Sequence, residues 1–155
     1  MNASATFSNL LLKHYFNNDD HAGIGDASGL QNSAAAGSVY VRLCTDAVAP
    51  NASTIGTETS YTGYVDNGVA VARTTGGWTV TANAITNAAD ILFGACTAGT
   101  ASILYIELWA NNSGSTEADR IAWVELTLDS GVAAFDVESG ITPKIAAGAL
   151  TFTFV

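Results

Sequence analysis

The sequence predicts an all-β protein: a β-sandwich or jelly-roll-like domain behind a short N-terminal helix and arm. Three observations predict it. The hydrophobic share, 48%, is carried by Ala, Val, Ile and Leu, with Thr and 15 Gly prominent in the rest. β-Branched residues suit a pleated, half-buried surface, and Gly suits the tight turns between strands. About eight or nine short apolar runs recur at roughly 8–12-residue spacing, as in sandwiches and barrels. Helical periodicity occurs once, at the start of the chain. Residues 1–37 are therefore expected to form the helix and a loop or arm, and residues 38–155 the β-sandwich domain. A chain of 155 residues buries enough surface for a core without metal or disulfide staples.

The helix rests on Phe7, Leu10, Leu11 and Tyr15, at the i, i+3, i+4, i+8 spacing of one helical face. Ser4 or Thr6 caps its start and Asn17-Asn18 ends it. Lys13 and His14 fall in the last turn, where a cation suits the helix dipole. Such a helix packs on the sheet or on a neighbouring subunit. Residues 17–37 read as loop, and structureless stretches of that length are often functional. An arm that contacts a neighbour is the expectation.

Strands follow. Ser38 to Cys44 alternates, with Val39, Val41 and Leu43 on one face and Tyr40 and Arg42 on the other. Val69 to Arg73 comes after an Asp66-Asn67-Gly68 turn. Trp78 to Thr81 and Ile85 to Ala88 flank a turn at Asn83. Ile91 to Ala95 is another strand. Ile103 to Ala110 and Arg120 to Leu128 carry the strongest pattern, joined by a polar hairpin loop from Asn111 to Asp119. Val132 to Val137 and Leu150 to Phe154 complete the set.

Charge excludes several classes. Acids outnumber bases 14 to 5, giving a net charge of −9. A nucleic-acid binder needs a basic patch, and an anionic membrane surface needs the same. Mean hydropathy is +0.27, yet no apolar run approaches the roughly 20 residues of a membrane span. Only 12% of residues are charged, and uncharged surface is what interfaces use. Cys44 and Cys96 sit in no metal or redox spacing and read as buried thiols. The first residues lack a basic n-region and do not read as a signal peptide. The N-x-S sequons at Asn2, Asn51 and Asn111 then read as chance matches.

Few constellations carry chemistry. The two histidines are His14 and His21, and no nucleophile motif accompanies them. Asp19, Asp20, His21 and Asp26 supply oxygen ligands on a Gly-containing loop, the raw material of a calcium site. The spacing of a calcium-binding EF-hand is absent, so the alternative is a solvated acidic loop. Gly23-Ile24-Gly25 with Gly29 lacks the strand, spacing and Lys of a phosphate loop. Glu107 and Glu125 lie on adjacent predicted strands and could face each other as a glycosidase-like pair. They share that face with Tyr105, Trp109 and Trp123, which suits an edge or interface as well. Tyr61, Tyr64, Trp78, Trp109 and Trp123 could form a sugar-stacking platform, or pack in a core or subunit interface. Tyr61-Thr62-Gly63-Tyr64 is the sharpest local signature and suits a tight, packed turn.

The order of these pieces resembles a family of small tailed-phage virion proteins, often labelled tail fibre or structural protein. The pieces are the amphipathic segment from Ser8 to Phe16, the strand Val39-Tyr40-Val41-Arg42-Leu43-Cys44-Thr45, and Tyr61-Thr62-Gly63-Tyr64 leading to Val69-Ala70-Val71-Ala72-Arg73. Gly77-Trp78-Thr79-Val80, Ile85-Thr86-Asn87-Ala88-Ala89, and the stretch from Ser139 through Pro143 to Phe152 follow. The resemblance spans nearly the whole chain, but its motifs are structural, not chemical. Asp66-Asn67-Gly68 and the long Asn111 to Asp119 hairpin depart from it and read as exposed adaptations.

The resemblance implies a virion role and no catalysis. The first expectation is a capsid decoration or cement protein that binds the outer shell as a homo-oligomer, with a trimer favoured. The segment from Asn2 to Gly37 would carry the contact, through Phe7, Leu10, Leu11, Tyr15 and Phe16. Its partners would be the major capsid protein or another virion protein, and itself. The second is a tail-fibre or tail-tip module that recognises a host surface glycan with the five aromatic residues. The third, a glycosidase, requires the Glu107 and Glu125 pair in a cleft. No catalytic residue, cofactor or metal is assigned. The expected location is the virion, after assembly in the host cytoplasm.

Overall fold

The computed structural model describes residues 4–22, 31–46, 53–128, 131–132 and 134–154. The protein is all-β, with antiparallel pairing and one short N-terminal helix, in the sandwich-like class the sequence predicts. The helix α1 is Ala5–Asn17. The strands are β1 (Ser38–Cys44), β2 (Val69–Ala72), β3 (Trp78–Thr81), β4 (Ala84–Asn87), β5 (Ile91–Leu92), β6 (Ala101–Ile103), β7 (Tyr105–Trp109), β8 (Arg120–Glu125), β9 (Thr127–Leu128), β10 (Gly131–Val132), β11 (Phe135–Val137), β12 (Lys144–Ile145) and β13 (Thr151–Thr153). The chain forms two compact units. One is Met1–Ser38, Val71–Ile91 and Ile145–Val155; the other is Val39–Ala70 and Leu92–Lys144.

In the first unit, α1 starts and stops on the residues expected. The Phe7 N–H donates to the Ser4 hydroxyl at 3.2 Å. Asn18 adopts the left-handed conformation, φ 57°, and ends the helix. Asn tolerates that region better than most side chains. The helix is anchored by Phe16, which is 1% exposed. Its ring meets Trp78 edge-on at 5.4 Å and lies 6.2 Å from Phe154. Beneath it, β4 pairs with β3 on one side and β13 on the other. The β3–β4 hairpin turns at Ala82-Asn83, and the Asn83 side chain holds the Phe154 carbonyl at 2.7 Å. Asn87 is the polar centre of this unit at 1% exposure. Its amide donates to the Ala89 and Ala146 carbonyls and accepts from the Leu150 N–H, each at 2.8 Å. Both donors and the acceptor oxygen of that buried side chain are therefore engaged.

In the second unit, β7 lies between β1 and β8. All five residues of β7 are buried, so both of its faces are covered. Two long predicted strands are interrupted. Ile103 to Ala110 breaks at Leu104, where the chain changes partners. Before the break β6 pairs with β11; at it the Leu104 N–H donates to the Cys44 carbonyl at 2.8 Å. Arg120 to Leu128 breaks at Leu126, whose N–H donates to the Leu104 carbonyl at 2.8 Å. The predicted strand Ile91 to Ala95 shortens to Ile91–Leu92. Beyond it the Phe93 N–H is taken by the Pro143 carbonyl and the Cys96 N–H by that of Ile141. Val132 to Val137 resolves into β10 and β11.

The two departures are exposed at most positions, Asp66, Asn67, residues 112–113 and 115–118 among them, yet each is pinned to this unit at a glycine. Gly68 is buried, and a Cβ there would lie 2.4 Å from the Val41 carbonyl oxygen. The Asn111 to Asp119 loop folds back on Trp109: Gly114 is buried against the indole, and the Asn111 and Asp119 side chains bond at 3.0 Å.

Candidate functional site

The helix separates the predicted contact residues onto two sides. Phe16 is buried, whereas Phe7, Leu11 and Tyr15 are 44%, 39% and 36% exposed, and Leu10 is half-buried. The stripe from Phe7 through Leu11 to Tyr15 thus stays partly exposed among the described residues. The residues expected to share one packing face are not equivalent: the ring that packs inward comes one position after Tyr15. The sequence signal for this was Phe16 itself, which the i, i+3, i+4 template leaves off the stripe. Arg73 secures the end of the helix. Its guanidinium donates to the His14 and Tyr15 carbonyls and lies 5.0 Å from the Tyr15 ring centre. Carbonyls at a helix C-terminus lack helical partners and attract a cation. The helix contains no Asp or Glu.

Glu107 does not face Glu125. The register sets Glu107 opposite Trp123 and Tyr105 opposite Glu125. Glu107 is fully buried and bound on every side. Arg120 donates to its Oε1 at 2.8 Å, the Gly56 N–H to the same oxygen at 2.8 Å, and the Trp109 indole to Oε2 at 3.0 Å. That face is interior on β7, whereas on β8, the last strand of this sheet, Trp123 and Glu125 are exposed. The Arg42 guanidinium stacks 3.9 Å from the Trp109 ring centre, and Arg120 lies 4.4 Å from that of Trp123. Strand alternation could not reveal this, because the cover comes from a distant loop: Gly56 bonds Glu107, and the Thr54 carbonyl takes Arg120 at 2.7 Å. A carboxylate so saturated is a structural group rather than half of an acid–base pair.

The five aromatic residues do not make a surface platform. Tyr61, Trp78 and Trp109 are buried, Tyr64 is half-buried, and only Trp123 of the five is exposed. Packing claims them because each polar tip or ring has an interior partner. Tyr61 donates to the Gly94 carbonyl at 2.9 Å and meets Tyr64 edge-on at 5.4 Å. Tyr64 stacks on Phe93 and donates to Glu58 at 2.7 Å. The Tyr61-Thr62-Gly63-Tyr64 signature is a tight turn, closed by the Tyr64 N–H on the Tyr61 carbonyl at 3.0 Å. Gly63 has φ 105°, and a Cβ there would lie 2.0 Å from the Ala95 carbonyl oxygen, so no other residue fits.

Glu58 is the carboxylate that sequence reasoning missed. Burial raises its pKa above the ordinary value of 4.5, while the Tyr64 hydroxyl and Arg42 pull it back down. Its Oε2 lies 3.7 Å from Arg42 Nε. Nothing in the local sequence, Thr-Glu-Thr, marked it out.

Asp19, Asp20 and His21 are built into the base of the arm. His14 donates through Nδ1 to the Asp19 carbonyl at 2.9 Å, and Asp20 accepts from the Asn32 N–H. Asn18 and Ser33 bond each other through both side chains and backbone. Asp26 and the Gly23-Ile24-Gly25 and Gly29 segment lie outside the described residues. Among the described residues no cluster of three metal-ligating side chains occurs. Cys44 and Cys96 are free and buried. Burial, with Glu107, Asp46 and Glu58 nearby, pushes the Cys44 thiol far above its ordinary pKa.

The chain matches no protein-family model and no curated protein.

Proposed function

We propose that the chain is a non-enzymatic structural protein of a tailed-phage virion, a capsid decoration or cement protein. It binds the outer shell as a homo-oligomer, with a trimer favoured, through its N-terminal helix. The observation that carries this reading is the stripe Phe7, Leu11 and Tyr15, partly exposed among the described residues, on a helix anchored from behind by Phe16. Large apolar side chains left in a row on one helix face suit helix-in-groove docking. The firm anchoring matters, since a docking helix held in place loses little freedom when it binds. The saturation of Glu107 by Arg120, Gly56 and Trp109 counts against the carboxylate pair that a glycosidase reading needs. The tail-fibre alternative is less well supported, because three of its five glycan-stacking residues are interior.

The test is Leu11→Glu against Phe16→Ala. Leu11→Glu is expected to leave the melting temperature within a few degrees, as exposed substitutions cost less than about 0.5 kcal/mol. It should lower binding to purified shells at least tenfold. Phe16→Ala should instead destabilise the chain by about 3–5 kcal/mol. Shell binding by Leu11→Glu at the unmodified level contradicts the proposal.

A further inference from the structure

A hollow of 410 Å³ opens on the second unit, between residues 57–62 and 98–102. Its origin is a parting of two extended segments. Thr62 bridges Ala98, with the Thr62 N–H on the Ala98 carbonyl at 3.0 Å. Carried on, that antiparallel register would set Ser60 opposite Thr100 and Glu58 opposite Ser102. The segments diverge instead. Glu58 bridges Cys44 of β1, and Ser102 lies in β6, where it bonds Asp136 of β11. The space left between them is the hollow.

Its lining is mostly polar, with Tyr61, Ala98, Gly99 and Ala101 set among Ser, Thr and Glu residues. Thr45, Thr59, Ser60, Thr100 and Ser102 present hydroxyl side chains, and Glu58 presents a carboxylate. No Lys or Arg lines it, which disfavours an anionic ligand. The volume lies within the roughly 300–1,000 Å³ of small-molecule sites, but the walls lack the apolar character such sites usually show. Thr59 adds a second observation. It is 4% exposed, and its Oγ1 has no hydrogen-bond partner among the described residues. A buried hydroxyl left so is costly, and a ligand group that reached it would remove the cost.

We propose that this hollow binds a neutral saccharide unit. A sugar ring carries several hydroxyls, each both donor and acceptor, and so matches a wall of Ser and Thr hydroxyls. The Glu58 carboxylate already accepts from the Tyr64 hydroxyl and the Asn67 backbone, and its remaining lone pairs can accept from such a hydroxyl. This site uses no residue of the helix stripe, and of the five aromatic residues considered above only Tyr61 lines it. A chain that binds sugar but not shells keeps this inference and loses the docking proposal, and the reverse outcome separates them equally.

The experiment is an NMR titration of the full chain with glucose, galactose, N-acetylglucosamine and rhamnose in turn. At least one should shift amide signals of residues 57–62 and 98–102, saturating in the millimolar range. Thr59→Val should weaken that sugar at least threefold while the melting temperature holds or rises, because the change removes an unpartnered hydroxyl and keeps the shape. Ser60→Phe, at an exposed rim position, should abolish the shifts. The inference is overturned by an absence of shifts with all four sugars at about 100 mM, far above a millimolar Kd. Shifts confined to other residues, or unchanged affinity in Thr59→Val, overturn it as well.

Discussion

Two ion pairs in the second unit, built from the same residue types, differ in almost every respect. Arg120 and Glu107 meet at 2.8 Å with side chains 2% and 1% exposed. Arg42 and Glu58 stand 3.7 Å apart with side chains 7% and 22% exposed. Glu107 has further donors from Gly56 and Trp109; Arg42 Nε has no hydrogen-bond partner among the described residues. A buried charge is tolerated when geometry is close and the remaining lone pairs are filled. The first pair meets that condition and the second does not. Position accounts for the difference: Glu107 sits on the middle strand beneath a covering loop, and Glu58 sits on the wall of an open hollow. The first pair fixes the fold, whereas the second leaves a carboxylate reachable by a ligand.

The largest test of that contrast is Arg120→Met. It strands Glu107 as a buried, unpaired charge and should cost about 3–5 kcal/mol in urea unfolding. Adding Glu107→Gln should recover part of the loss, because a neutral amide still accepts a bond from Trp109 or Gly56. A loss below about 1 kcal/mol for Arg120→Met would make the two pairs equivalent. Arg42→Met should cost less, about 1 kcal/mol, since it forfeits a long ion pair and the stacking on Trp109. The smallest effect is the pH dependence of Glu58. Its pKa is raised in the fold, so the native state binds that proton more tightly than the unfolded chain does. The resulting stability is present below the unfolded carboxyl value and is lost as pH rises through the raised one. The melting temperature of Glu58→Gln, measured relative to the unsubstituted chain, should therefore climb as pH is raised from 4.5. A flat difference would show that burial does not govern this carboxylate.

What the sequence made visible followed from local chemistry. The helix and its Ser4 cap, the Asn18 stop, the Tyr61–Tyr64 turn and the Trp78 to Asn87 hairpin all rest on neighbours within a few positions. The strands that alternate cleanly, such as Val39-Tyr40-Val41-Arg42-Leu43, formed where expected. What stayed hidden depends on residues far apart in the chain. Glu107 looked like a surface carboxylate until the loop around Gly56 covered it. The break at Leu104 cannot be read from an unbroken apolar run, because it arises where one strand exchanges partners. The hollow depends on two segments joining at Thr62 and Ala98 and then parting, which no local pattern encodes.

The central claim is that this chain coats a phage shell through the Phe7, Leu11 and Tyr15 stripe. The most direct measurement is its copy number per purified particle, by quantitative mass spectrometry against the major shell protein. The proposal predicts a stoichiometry comparable to that of the shell subunit. A few copies per particle, or none, would contradict it.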